Sequence, residues 1–195
     1  RLPNDHTGGA SGGWPTPFAY LADNDLALGR MIEALSKTQF WASTAVFVLE
    51  DDAQNGSDHV DSHRSLMLVI SPWTKGGVIH RFINTSDVIA TIEEILKLGT
   101  MSSFDHYGRP LRDIWASKPD SRPYTALKPD VPLDQMNPRH GALAEESKKL
   151  ALGKEDIADE DLFNRILWRQ IKGNSVPWPG VKRMSPLEVI DPGMK

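Results

Sequence analysis

The sequence predicts an α/β fold in which helices cover a sheet, and three observations predict it. Two continuous apolar runs of strand length, Thr44–Leu49 and Leu66–Ile70, fit strands buried on both faces, as in a helix-covered sheet. Segments with apolar residues at helical spacing alternate with them. At 195 residues, with 39% apolar and 25% charged side chains, the chain has the ordinary composition of a soluble globular protein and can bury a sizeable core.

In chain order, residues 2–17 are rich in Gly and Pro and read as a loop. Leu21, Leu28, Met31, Ile32 and Leu35 give residues 18–37 one apolar helical face. The strand over 44–49 follows, then a polar stretch over 50–64, then the strand over 66–70, which ends at Ser71-Pro72. After a Gly76-Gly77 turn, residues 78–83 fit a short strand. Residues 86–98 carry Val88, Ile89, Ile92, Ile95 and Leu96 on one face, with Ser86 as N-cap and Gly99 as the stop. Residues 117–138 are Pro-rich and read as irregular, wrapped over the surface. Helices are expected over 142–152 and over 159–172, the second closed by Gly173. The chain has no internal repeat.

Charge and composition exclude several functions. A net charge of -4 without a basic stripe argues against nucleic acid, whose phosphates need clustered Lys and Arg. The apolar runs fall far below the roughly 20 residues of a membrane span, and no signal peptide is visible. With no Cys, the chain has neither disulfides nor thiolate chemistry nor Cys-ligated zinc. It opens on Arg1 and enters a dense polar motif within a few residues, as expected of a piece of a longer polypeptide.

The chemistry-bearing residues cluster after the first apolar run. Glu50, Asp51 and Asp52 follow it directly, where ligands bind beyond the carboxyl ends of strands in helix-covered sheets. Adjacent carboxylates repel and are costly to desolvate unless a cation compensates, and a hard divalent ion is the simplest one. The plainer alternative is a solvated acidic turn. His59 and His63 lie in the same connection, with Asp58 and Asp61, and in a helix their i, i+4 spacing would put both imidazoles on one face. Asp51-x-x-x-Asn55-Gly56 begins like an EF-hand loop but has Ala53 at the third position and Ser62 at the twelfth, and a strand precedes it. The opening Asp5-His6 offers one oxygen and one nitrogen ligand, or an acid/base pair; a capping Asp beside a surface His accounts for it equally well. Gly8 to Gly13 lacks the ending of a P-loop and reads as a flexible connection. His80, His106 and His140 read as structural or surface residues, and the Trp residues as packing.

Taken in order, "LPNDHT", "ADNDLALGRMIEALSKTQFW", "TAVFVLEDDAQNGSDHVDSHRS", "LVISPWTKGG", "NTSDVIATIEEILKL" and "DEDLFNRILWRQIKG" resemble the bacterial phosphoesterase family of the alkaline phosphatase superfamily, which includes phospholipase C-like and acid phosphatase-like enzymes. The resemblance spans nearly the whole chain. It implies the C-terminal portion of an alkaline-phosphatase-like three-layer α/β sandwich, with helices on a mainly parallel sheet. Residues 1–116 would carry the metal-site part of the core, and 117–195 a Pro-rich wrap and C-terminal helices of the same domain. It implies a phosphate-ester hydrolase, phosphomonoesterase or phospholipase C-like phosphodiesterase, that is periplasmic or secreted. Asp51 and Asp52 match the paired acidic metal ligands, with Asp5 as a further metal ligand. His6 and His59 match catalytic positions, and His63 is a candidate phosphate or substrate contact. The cofactor implied is one or more divalent metal ions, with Zn, Mn, Ca and Fe all compatible. Attack on phosphorus would come from a Ser or Thr whose segment, like the family's Glu-Asn ligand motif, is not found here; Thr7 is not at that position. The missing elements are expected upstream in the same polypeptide or on another chain. The competing expectation is a non-catalytic metal-stabilised binding domain, or an inactive fragment of such an enzyme.

Overall fold

A computed structural model of the chain describes residues 2–3, 5–50, 65–153 and 157–180. The described residues form a mixed α/β protein with five α-helices and one two-stranded antiparallel sheet. The elements are α1 (Pro17–Ser36), β1 (Val46–Leu49), β2 (Met67–Ile70), α2 (Thr85–Leu96), α3 (Ser103–His106), α4 (Ala142–Ser147) and α5 (Glu160–Lys172). The chain divides into two compact units: Arg1–Ile32 with Glu50–Ser65 and Thr125–Lys195, and Glu33–Leu49 with Leu66–Tyr124.

In the first unit, α1 opens on Pro17, whose fixed φ suits a first helical turn, and the Thr16 hydroxyl accepts from the Ala19 N–H at 3.2 Å. Helix α5 is capped at both ends. Asp159 Oδ1 accepts from Leu162 N–H at 3.0 Å, Glu160 and Asp161 occupy the first turn, Arg169 and Lys172 the last, and Gly173 ends it. Its apolar face supplies Phe163 and Ile166, which pack with Ala10 and Leu150. The opening loop is pinned onto this core rather than loose. Ala10 N–H donates to Ser147 Oγ at 2.9 Å, and the buried Asn137 amide donates to the carbonyls of Gly9 (2.8 Å), Ser11 (3.2 Å) and Pro15 (3.3 Å). Gly9 has a φ of 60°, and a Cβ there would lie 3.3 Å from both Phe163 and Ser147, so the loop needs glycine for conformation and for clearance. The expected flexible connection is therefore an anchored one, because its polar backbone finds side-chain partners on α4, α5 and residue 137.

In the second unit, β1 and β2 pair antiparallel, with Phe47 opposite Val69 and Leu49 opposite Met67. Phe47, Met67 and Val69 thus share a face, which packs on the buried Val88, Leu111 and Ile114. Helix α2 begins with a capping box: Asn84 Oδ1 accepts from Asp87 N–H at 3.0 Å, and Asp87 Oδ2 from Asn84 N–H at 3.2 Å. Asp87 is 2% exposed and also takes the Arg109 N–H at 2.7 Å, while Thr91 Oγ1 takes Leu111 N–H at 2.8 Å. These bonds lay residues 109–111 along α2. Gly108 makes that approach feasible, since a Cβ there would sit 2.7 Å from the Ser86 carbonyl oxygen and 2.9 Å from Ala90 Cβ. Gly108→Ala is expected to lose about 1–3 kcal/mol in urea unfolding, and Gly99→Ala, with open space around it, close to nothing.

Several sequence expectations need correction here. Residues 78–83 form no strand. Val78 and Phe82 are 78% and 67% exposed, and the segment is held by side chains instead, with Arg81 bidentate to Asp113 and the Arg109 guanidinium 5.7 Å from the Phe82 ring centre. The N-cap of α2 is Asn84, not Ser86, because only Asn84 has a carboxylate three residues on to answer its own N–H. The helix ends at Lys97, a left-handed residue with a φ of 57°, two positions before Gly99. The helix expected over 142–152 stops at Ser147. The irregular reading of 117–138 agrees with the described backbone, and the second tail helix matches its expected bounds within one residue.

Candidate metal-binding site

Of the six site residues expected from the sequence, Asp5 and His6 are described; Asp51, Asp52, His59 and His63 lie outside the described residues. Asp5 is half-buried and His6 exposed. Asp5 is held from α1. The Asn24 side-chain amide donates to the Pro3 carbonyl at 3.0 Å and to Asp5 Oδ2 at 3.4 Å, so one helical side chain holds both the backbone at Pro3 and the carboxylate. Next along, the Thr7 hydroxyl accepts from Gly9 N–H at 3.1 Å and begins the turn that buries Gly8, Gly9 and Ala10. The opening motif is thus fixed from both sides by α1 and by the anchored loop.

Asn24 is the residue that sequence reasoning passed over. The available signal was its position: Asn is a poor choice inside a helix, because its amide competes for backbone groups, and α1 runs well past it on both sides. Its amide is used here to bind chain outside the helix, which explains why the unfavourable residue sits there.

The fit of a divalent ion rests on donor chemistry. Carboxylate oxygens and imidazole nitrogens suit Zn, Mn, Ca or Fe in different proportions. Among the described residues no three Asp, Glu or His side chains converge, so Asp5 and His6 do not make a metal site by themselves. In sequence, β1 ends at Leu49 and β2 begins at Met67, and Asp51, Asp52, Asp58, His59, Asp61 and His63 all fall between. His80, His106 and His140 are exposed, in agreement with their reading as surface residues. An open cleft in the second unit, lined by Asn84, Ser86, Ser103, Tyr107 and Arg109, contains none of the expected site residues. No described helix is long and apolar enough to cross a membrane. The chain matches no family model and no curated protein.

Proposed function

We propose that this chain supplies one wall of the active centre of a metal-dependent phosphoric ester hydrolase of the bacterial phosphoesterase type, a phosphomonoesterase or a phospholipase C-like diesterase. The observation that carries the reading is the density of oxygen and nitrogen ligands in the sequence between β1 and β2, four Asp and two His within residues 51–63. Asp51, Asp52 and Asp5 are assigned to divalent metal, His6 and His59 to the catalytic centre, and His63 to the phosphate. A bound divalent ion would offset the phosphoryl charge and lower the pKa of the attacking hydroxyl. That hydroxyl, a Ser or Thr, lies outside these residues, and the protein is exported.

An alkaline-phosphatase-like sandwich with a mainly parallel sheet belongs to the same proposal. A two-stranded ribbon is marginal on its own. Leu49, Leu66 and Leu68 are more than a third exposed, which supports further sheet and helix packing beside β1 and β2. No parallel pair occurs among the described strands.

The test is hydrolysis of p-nitrophenyl phosphate and of bis-p-nitrophenyl phosphate by the polypeptide extended upstream, stripped with chelator and restored with Zn, Mn, Ca or Fe. Restoration by one of them is expected; hydrolysis indifferent to chelation would contradict the reading. The absence of a matching nucleophile segment favours, as second reading, a metal-stabilised binding domain, which would bind metal and hydrolyse neither ester. Asn24→Ala is expected to lower turnover by about 10-fold, as loss of an outer partner of a ligand commonly does. The same variant should leave the far-UV spectrum unchanged.

A further inference from the structure

Two carboxylic acids meet inside the second unit, remote in sequence from the proposed metal ligands. Glu93 of α2 and Asp105 of α3 are each 4% exposed. One backbone N–H serves both: Met101 N–H donates to Asp105 Oδ2 at 2.7 Å and to Glu93 Oε1 at 3.2 Å. Asp105 also accepts from Ser102 N–H at 3.2 Å and from the Ser102 hydroxyl. Asp105 is therefore rich in donors, whereas Glu93 Oε2 is buried without a hydrogen-bond partner among the described residues. No Lys, Arg or His among the described residues forms an ion pair with either acid.

Two ionised carboxylates sharing one N–H repel, and a buried unpaired oxygen is costly. A proton on Glu93 removes the repulsion and gives the pair a hydrogen bond from Glu93 to Asp105, because a carboxylic acid can donate where a carboxylate can only accept. We propose that Glu93 and Asp105 form a proton-held latch that docks α3 on α2, closed while Glu93 keeps its proton and loosened when it is lost. Burial pushes the Glu93 carboxyl above the usual Glu range, and the hydrogen bond and charge of Asp105 push it further, against a smaller opposing effect of Met101 N–H. The hydroxyl of Ser102 holds Asp105 well below the usual range, against burial, so Asp105 is the partner that stays ionised.

The other charged groups around the pair are engaged elsewhere or belong to the flanking turns. On α2, Asp87 binds Arg109 and Glu94 binds Arg112. Asp113 binds Arg81, Lys97 caps α2, and His106 lies edge-on to Tyr107. The strands contribute no titratable side chain. Because Ser103, Phe104 and Tyr107 line the open cleft at the start of α2, the latch sets the position of one of its walls.

A group whose pKa is raised on folding stabilises below its unfolded value and loses that contribution as pH rises through the folded value. The test is a carboxyl 13C NMR titration of the whole chain, with amide exchange at residues 104–107 corrected for the intrinsic rate. Glu93 should titrate above the ordinary Glu value of about 4.3. Corrected exchange at 104–107 should rise several-fold at the same midpoint, and Glu93→Gln, a donor without charge, should abolish that rise. A Glu93 titration in the ordinary range overturns the latch, and this is read on the unaltered chain should the variant fail to fold. Exchange that stays flat, or protection above the midpoint that returns on adding Ca or Zn, also overturns it, the latter making the pair a metal site.

Discussion

On the proposed assignment, replacing Asp51 and Asp52 together by Ala is expected to cut phosphate-ester turnover by roughly 10³-fold in a protein that also carries the proposed nucleophile. Removing a single preorganised charge-stabilising group commonly costs that much, and here both members of a ligand pair are removed. The loss should fall on kcat, because the metal's charge matters most when negative charge develops on the leaving oxygen. Replacement by Asn, which retains one oxygen per residue, should recover part of it. The far-UV spectrum should persist, since the pair falls in sequence after the end of β1 and well before the start of β2. Turnover that stays within about tenfold of the parent would remove Asp51 and Asp52 from the catalytic account.

The largest loss of stability is expected at Asp87. Asp87→Ala should cost about 2–4 kcal/mol at neutral pH, because it removes half of a capping box and strands the Asn84 and Arg109 N–H groups. Burial alone would raise the Asp87 pKa, but the N–H groups of Arg109 and Asn84 and the Arg109 charge outweigh it and hold it low. A carboxyl depressed on folding stabilises above its unfolded pKa, and the contribution disappears as pH falls through the folded value. The parent and Asp87→Ala should therefore converge in stability on the acid side of the ordinary Asp range of about 3.9. Urea unfolding across that range measures it. A gap that stays constant down to low pH would mean that packing, not the carboxylate, accounts for the loss.

What could be read from the sequence divides along physical lines. Helices α1 and α5 were legible because both repeat apolar residues at helical spacing, and α5 also carries Asp159 and Gly173 at its ends. The two strands were legible as continuous Val, Leu, Ile and Phe runs, but their mutual antiparallel pairing was not, because an apolar run gives no direction. Residues 78–83 have strand composition but pair with no strand among the described residues; Arg81 and Asp113, distant in sequence, hold the segment instead. The capping choice between Asn84 and Ser86 turned on Asp87, whose role depends on Arg109. For the candidate site, the acidic pair with His59 and His63 stands out in the sequence by density alone and lies outside the described residues. Asn24 does not, since its effect on Asp5 arises only once α1 and the opening loop are folded together.

The central claim is that the residues between β1 and β2 hold a divalent cation. Calorimetric titration of Zn, Mn, Ca and Fe(II) into the chelator-stripped chain tests it most directly, with the Asp51→Ala/Asp52→Ala variant as control. Saturable binding of at least one of these ions to the parent, lost or greatly weakened in the variant, is the predicted result. Equal binding by both proteins, or heat no greater than dilution for every ion, would contradict it.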